Sequence, residues 1–117
     1  MKLSRFLSSF RFAAQGVGTS IKREQNMKVH AVSAVVVLIA AIWTGLDRTE
    51  WMLVIVLIGG MLALELVNSA LERTVDLVTA ERHPLAKQAK DMAAGAVLVF
   101  AVTSAIIGLL IFLPKWF

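Results

Sequence analysis

Between Trp51 and Val78 a stretch that begins as an unbroken apolar run turns polar at Glu65 without losing its helical period. At about 100° per residue, Glu65, Asn68, Glu72 and Asp76 project at roughly 0°, −60°, −20° and +20°, so one narrow face carries three acids and an amide. An ionised side chain at mid-bilayer costs roughly 2.5–3.5 kcal/mol. A chain that keeps such a stripe must pair it with something, and that requirement limits both its fold and its function.

The rest of the chain supports a membrane setting. Of its 117 residues 58% are hydrophobic, with a mean hydropathy of +0.77, too apolar for a soluble domain of this size. The length allows one small domain. There is no cysteine, which excludes disulfides and thiolate metal sites. The net charge of +4 is uneven: Lys2, Arg5, Arg11, Lys22, Arg23 and Lys28 face a single acid, Glu24, within residues 1–28. A basic segment beside apolar spans implies a cytoplasmic flank on anionic lipid and not a nucleic-acid partner.

Three spans are expected, over 28–46, 51–78 and 92–113. Val29 to Leu46 rises about 27 Å as a helix, enough to cross. Asp47 to Glu50 reads as a short polar turn. Pro84 reads as a helix break after the second span, and Pro114 closes the third. The first loop has one basic residue, Arg48, whereas the second loop and its flanks have Arg73, Arg82, Lys87 and Lys90. The N-terminus and second loop are therefore expected in the cytoplasm, with Trp43, Trp51 and Trp116 in an outer aromatic belt. No small-residue cleavage site precedes the first span, which reads as a retained anchor. Ahead of it, Leu3, Phe6, Phe10, Ala13, Val17 and Ile21 recur every three or four residues. That spacing predicts an amphipathic helix within 1–27, lying on the inner interface or packed on the bundle.

The second helix would be about 42 Å long against a hydrocarbon core of about 30 Å, so its polar end emerges on the cytoplasmic side. Glu65, about 21 Å beyond Trp51, stays beneath the boundary; Glu72 lies near it and Asp76 beyond. Three readings fit. The acids and Asn68 are structural glue between helices, or they couple a small oligomeric transporter to a cation, or they serve an enzyme acting on a lipid. Periodicity does not separate the last two. The run of the stripe out into the cytoplasm favours the enzyme, because a transporter would keep its acid central. Glu24 could join Glu72 at the interface, and two carboxylates with open water positions suit Mg²⁺. Lys90 could neutralise phosphate, or form a snorkelling pair with Asp91. Ala93, Ala94, Gly95 and the Gly59-Gly60 pair suit close helix approach. His30 and His83 share no metal-ligand spacing, and His83 reads by default as a turn residue. No GxxxxGK[ST] loop, GxGxxG turn, HRD or DFG is present, so phosphoryl transfer here would need an unrelated solution.

The segment ELVNSALERTVD followed by HPLAKQAKDMAAGAV resembles the small prokaryotic membrane kinases of the diacylglycerol kinase type. Their signature E-x-x-N-S-A-x-E-x-x-x-D, then A-K-D at the start of the last span, is intact. The likeness runs from Arg5 into the third span. The HPLAK-x-AKD-x-AAGAV form resembles the Gram-positive branch, whose members phosphorylate undecaprenol. The resemblance implies an all-α fold, an interfacial helix plus three membrane helices, assembled as a homotrimer with sites shared between subunits of a bacterial cytoplasmic membrane protein. It implies ATP as co-substrate, Mg²⁺ as cofactor and a lipid alcohol as acceptor, undecaprenol or alternatively diacylglycerol. Glu65 would be the general base and Asn68 would help hold the site. Glu24 and Glu72 would ligate the metal. Asp76, Lys90 and Asp91 would complete the nucleotide site, with Arg5, Phe12 and the Glu81–His83 turn nearby. Phe12 stands where relatives can carry tyrosine, which keeps ring stacking but removes a hydroxyl contact. The chemistry agrees with these roles. A lipid hydroxyl does not ionise unaided in apolar surroundings and needs a base at its own depth. ATP cannot enter the bilayer, and acids facing its phosphates repel them unless a cation stands between.

Overall fold

A computed structural model describes residues 2–117 and consists of four helices: α1 (Leu3–Arg23), α2 (Gln25–Thr44), α3 (Arg48–Val78) and α4 (Pro84–Trp116). α2, α3 and α4 are each long and apolar enough to cross a membrane. Their limits follow from local chemistry. Glu24 is extended (φ −115°, ψ 125°), which ends α1 at Arg23 and starts α2 at Gln25, three residues before the expected span. α2 closes on Gly45, which at φ 77° is the one left-handed residue among those described and donates its N–H to the Ala41 carbonyl at 3.0 Å.

The residues expected as a turn, 47–50, instead open α3. Asp47 Oδ1 accepts the Glu50 N–H at 2.8 Å while Glu50 Oε1 accepts the Asp47 N–H at 3.0 Å. This capping box satisfies two of the helix's free donors, so Arg48 to Glu50 are already helical. Pro84 interrupts the chain but also starts α4, eight residues ahead of the expected third span. Its fixed φ suits a first helical position, and His83 caps the helix by accepting the Leu85 N–H on Nδ1 at 3.1 Å. Pro114 does not close α4 but lies inside its last turn. The turn is held from outside: the Trp116 indole N–H donates to Thr44 Oγ1 at 2.9 Å and Lys115 Nζ lies 3.0 Å from Glu50 Oε1.

α3 packs along α4, with α2 beside them. The buried core, Ala41, Leu46, Val54, Ile111 and Phe112, gathers at the tryptophan end of the bundle, where the Trp43 and Trp116 rings meet edge to face at 6.5 Å. Most apolar side chains face outward, Trp43 at 80% and Val99 at 68% exposure among them, as expected for helices solvated by lipid or by further copies. α1 touches the bundle through its C-terminal end, where Ser20 is buried, while Leu3, Phe6 and Phe10 remain uncovered. Within one chain its apolar face is therefore free for a membrane surface.

Small residues matter unequally. A Cβ added at Gly60 would lie 2.5 Å from Phe100 Cζ, whereas one at Gly59 meets nothing within 4 Å. Gly60→Ala is expected to cost about 1–3 kcal/mol by displacing that ring. Gly59→Ala should be neutral or stabilising by up to about 1 kcal/mol, because glycine weakens a helix interior. Thermal unfolding of the two variants in one detergent separates these outcomes. Of the alanine–glycine run at 93–95 only Ala93 is buried, and Gly95 has open space around it.

Candidate functional site

The α3 face divides by depth. Glu65, Asn68 and Ser69 are buried at 3%, 5% and 3% exposure, while Glu72 and Asp76, one and two turns further on, are exposed. The stripe therefore leads from the protein interior to a polar end. Its deep part meets two partners from the N-terminal half. His30 on α2 places Nε2 3.4 Å from Glu65 Oε2. Glu24, at the break between α1 and α2, accepts from Arg73 Nη1 at 2.6 Å, from Ser20 Oγ at 3.2 Å and from the Ser69 hydroxyl. Ser69 Oγ also lies 2.9 Å from the Glu65 carbonyl, so its single proton serves one acceptor at a time. Burial alone would raise the Glu24 carboxyl, but the hydrogen bonds from Ser69, Arg73 and Ser20 together with the Arg73 charge outweigh it. The group is held below the ordinary glutamate value. Glu24 is thus a fixed carboxylate at neutral pH, and not the solvated charge that its neighbours Arg23 and Lys28 would suggest.

Asn68 Nδ2 reaches Glu72 Oε1 at 3.5 Å, whereas Asn68 Oδ1 is buried without a partner. A buried acceptor left empty carries a desolvation cost of about 1–3 kcal/mol, which a hydroxyl donor would relieve.

At the polar end, Asp76, Glu81, His83, Lys87, Lys90 and Asp91 line an open cavity of about 640 Å³ between the ends of α3 and α4. Lys90 pairs with Asp76 across the two helices, and Lys87 Nζ lies 2.6 Å from Asp91 Oδ2. The expected alternative, a Lys90–Asp91 pair, is not formed, because residues one apart on a helix do not face each other. Of the residues expected at the nucleotide site on this side, Asp76, Glu81, His83, Lys90 and Asp91 line this one cavity, and Glu72 does not. Glu81 contributes to a turn in which its N–H donates to Thr79 Oγ1. Arg5 and Phe12 are not brought there. Both are exposed on α1, with the Arg11 guanidinium 5.1 Å from the Phe12 ring centre. The reason is the break at Glu24, which lets α1 meet the bundle through its last turns alone.

A third feature is apolar. An open groove of about 440 Å³ runs between α2, α3 and α4, lined by Val37, Val54, Leu57, Ile58 and Ala101, with His30 at its Glu65 end. Ser104 also lines it, and its Oγ is buried without a partner.

Among the described residues no group of three or more His, Asp or Glu is arranged to hold a metal. The donor chemistry nevertheless fits Mg²⁺, which takes one or two carboxylates and completes its shell with phosphate and water. Glu24 is held ionised and, of about four carboxylate lone-pair positions, spends three on Ser20, Ser69 and Arg73. Glu72 spends one on Asn68.

Ser20, His30 and Arg73 join the site although no sequence motif marks them as members, and Ser69, the serine of the signature, joins it without having been assigned a role. Ser69 and Arg73 follow Glu65 at four and eight residues, the same helical face, and that spacing is a usable signal. For Ser20 and His30 no signal within one segment exists, since their partners lie on other elements.

Comparison with known proteins adds a family. The model described as prokaryotic diacylglycerol kinase matches residues 11–112. The undecaprenol kinase of Bacillus subtilis (strain 168) is 55% identical over 114 residues, covering 97% of this chain and 93% of that protein. A diacylglycerol kinase of Synechocystis is 38% identical over 92% of this chain and 62% of its own length. One from Pseudomonas aeruginosa is 36% identical over 83% and 79%.

Proposed function

This chain belongs to the prokaryotic diacylglycerol kinase family, and we propose from that premise that it transfers the terminal phosphoryl group of ATP to undecaprenol, giving undecaprenyl phosphate. The observation that carries the proposal is the single α3 face on which buried Glu65 and Asn68 continue into exposed Glu72 and Asp76 beside a polar cavity. Such a face lets a membrane-dissolved alcohol and a water-soluble nucleotide meet at one helix. The N-terminus and the α3–α4 turn lie in the cytoplasm, following the basic residues, and the tryptophans lie outside.

Glu65 takes the proton of the acceptor hydroxyl, and Asn68 helps hold the site, its Nδ2–H reaching Glu72 Oε1. Lys90 and His83 meet the nucleotide in the polar cavity, where Asp76 and Asp91 hold the lysines in place. Glu24 and Glu72 are the residues that would hold Mg²⁺, which when bound neutralises phosphate charge. Positioning and charge compensation supply most of the rate, as in other phosphoryl transfers. The whole chain forms one kinase domain and assembles as a homotrimer. Within it the uncovered apolar faces of α1 to α4 meet neighbours or lipid, and the Arg5 and Phe12 contribution to the nucleotide comes from an adjacent subunit.

Undecaprenol is preferred over diacylglycerol because the relative named for it is 55% identical over nearly the whole chain. Incubating the purified protein with labelled ATP and a panel of prenols and glycerolipids tests this. Faster phosphorylation of undecaprenol than of diacylglycerol supports the assignment, the reverse order moves it to the alternative acceptor, and no labelled lipid at all refutes the kinase reading.

A further inference from the structure

Among the described residues His30 is the only titratable side chain lining the apolar groove, and it lies directly against Glu65. At 20% and 3% exposure the two side chains are largely shielded from water. The other charged groups close to Glu65 are Glu24, from the α1–α2 break, and Glu72, from α3 itself, both of them acids. From α4 the same groove receives Ala101, Ser104 and Ala105, which carry no charge. Beside the uncharged Asn68 amide, His30 is therefore the one ionisable neighbour among the described residues able to offer Glu65 an N–H.

A carboxylate that is to accept a proton from an alcohol must keep one oxygen free and aimed at it. Unrestrained, the Glu65 side chain has several rotamers and two equivalent oxygens, and most of its arrangements are unproductive. The geometry points to His30 as a positioning residue for Glu65, its Nε2–H, 3.4 Å from Oε2 in this structure, closing on that oxygen when the lipid alcohol is bound, so that Oε1 faces the hydroxyl at the end of the groove. This inference rests on the reading of Glu65 as the base. It needs Nε2 protonated, which both the imidazolium and one neutral tautomer provide. It also explains why a polar ring is kept at the mouth of an otherwise apolar groove.

Two variants of similar length test it in the full-length protein, with undecaprenol and labelled ATP. His30→Met removes the donor; His30→Gln keeps an N–H near the position of Nε2. His30→Met is expected to lower kcat roughly 10- to 100-fold, the scale of a small misplacement of a reacting group, with KM for ATP unchanged. His30→Gln should recover kcat to within about threefold of the parent protein. Melting temperatures of both are compared, so that a loss through unfolding is recognised; a folded His30→Met enzyme with parental kcat overturns the proposal. So does a loss that appears in KM for ATP, or one that His30→Gln fails to restore. The base assignment is tested separately by Glu65→Gln. If that variant is inactive while His30→Met is fully active, only the role of His30 falls.

Discussion

Glu65→Gln is expected to reduce phosphorylation by about 10²- to 10⁴-fold, the range that a positioned general base contributes, while leaving assembly and helicity intact. The substitution keeps the volume and branching of the side chain, so the buried site is not opened. It keeps a carbonyl oxygen that can accept from His30, 3.4 Å away in the parent protein. What it removes is the capacity to take a proton. Because a charged carboxyl at 3% exposure is costly and two further acids lie nearby, neutralising it should offset the weaker hold on His30, and the variant should melt no lower than the parent. That combination separates a chemical role from a structural one: glue residues lose stability when replaced, whereas a base loses rate. Equal kcat in the glutamine variant would show that the hydroxyl proton leaves by another path. Glu65→Asp, which withdraws the carboxylate by about one methylene, should retain partial activity, because the base is present but misplaced. Circular dichroism and gel filtration in detergent accompany the kinetics.

The stripe and its direction are legible in the sequence because a helix has one period and every member of the stripe lies on the same element. Glu65, Asn68, Glu72 and Asp76 can be placed by counting. The three membrane helices are equally legible, since an apolar run long enough to cross has few alternatives. Element ends are less so. Residues 47–50 look like a turn by composition, yet Asp47 and Glu50 stand three apart and close a capping box. Pro84 reads as a stop, although at a first helical position proline is also a start. The pairs that join elements are out of reach. His30 with Glu65, Glu24 with Arg73 and Asp76 with Lys90 are separated by 35, 49 and 14 positions. No local rule links them; they follow from how α2 and α4 pack on α3. The motif supplies chemistry for residues whose geometry the sequence leaves open, and for Arg5 and Phe12 it supplies a role that one chain alone does not accommodate.

Glu72→Gln is expected to change the affinity for ATP in opposite directions with and without magnesium. At the polar end of α3 the exposed carboxylates of Glu72 and Asp76 lie one turn apart. Asp76 is neutralised by Lys90, whereas the contact found at Glu72 is the Asn68 amide, so Glu72 keeps its charge. Two unit charges of like sign 4 Å apart repel by about 1 kcal/mol in water and about 4 kcal/mol near a protein surface. Without a divalent ion, Glu72 therefore opposes the nucleotide phosphates, and its neutralisation should tighten binding of free ATP by about fivefold or more. On the proposed role the same carboxylate would ligate the metal when it is present. Its loss should then raise the Mg²⁺ concentration needed for half-maximal rate by roughly 10- to 100-fold and lower kcat/KM for the magnesium complex. The introduced glutamine still offers Asn68 an oxygen, so the neighbouring side chain keeps its place. A residue that merely shaped the cavity would shift both affinities the same way, as would one that set the overall charge of the site. Isothermal titration with ATP in a chelating buffer, beside a Mg²⁺ titration of the initial rate, reads the two signs on the same preparation. Weaker binding of free ATP by the glutamine variant would remove Glu72 from the metal site.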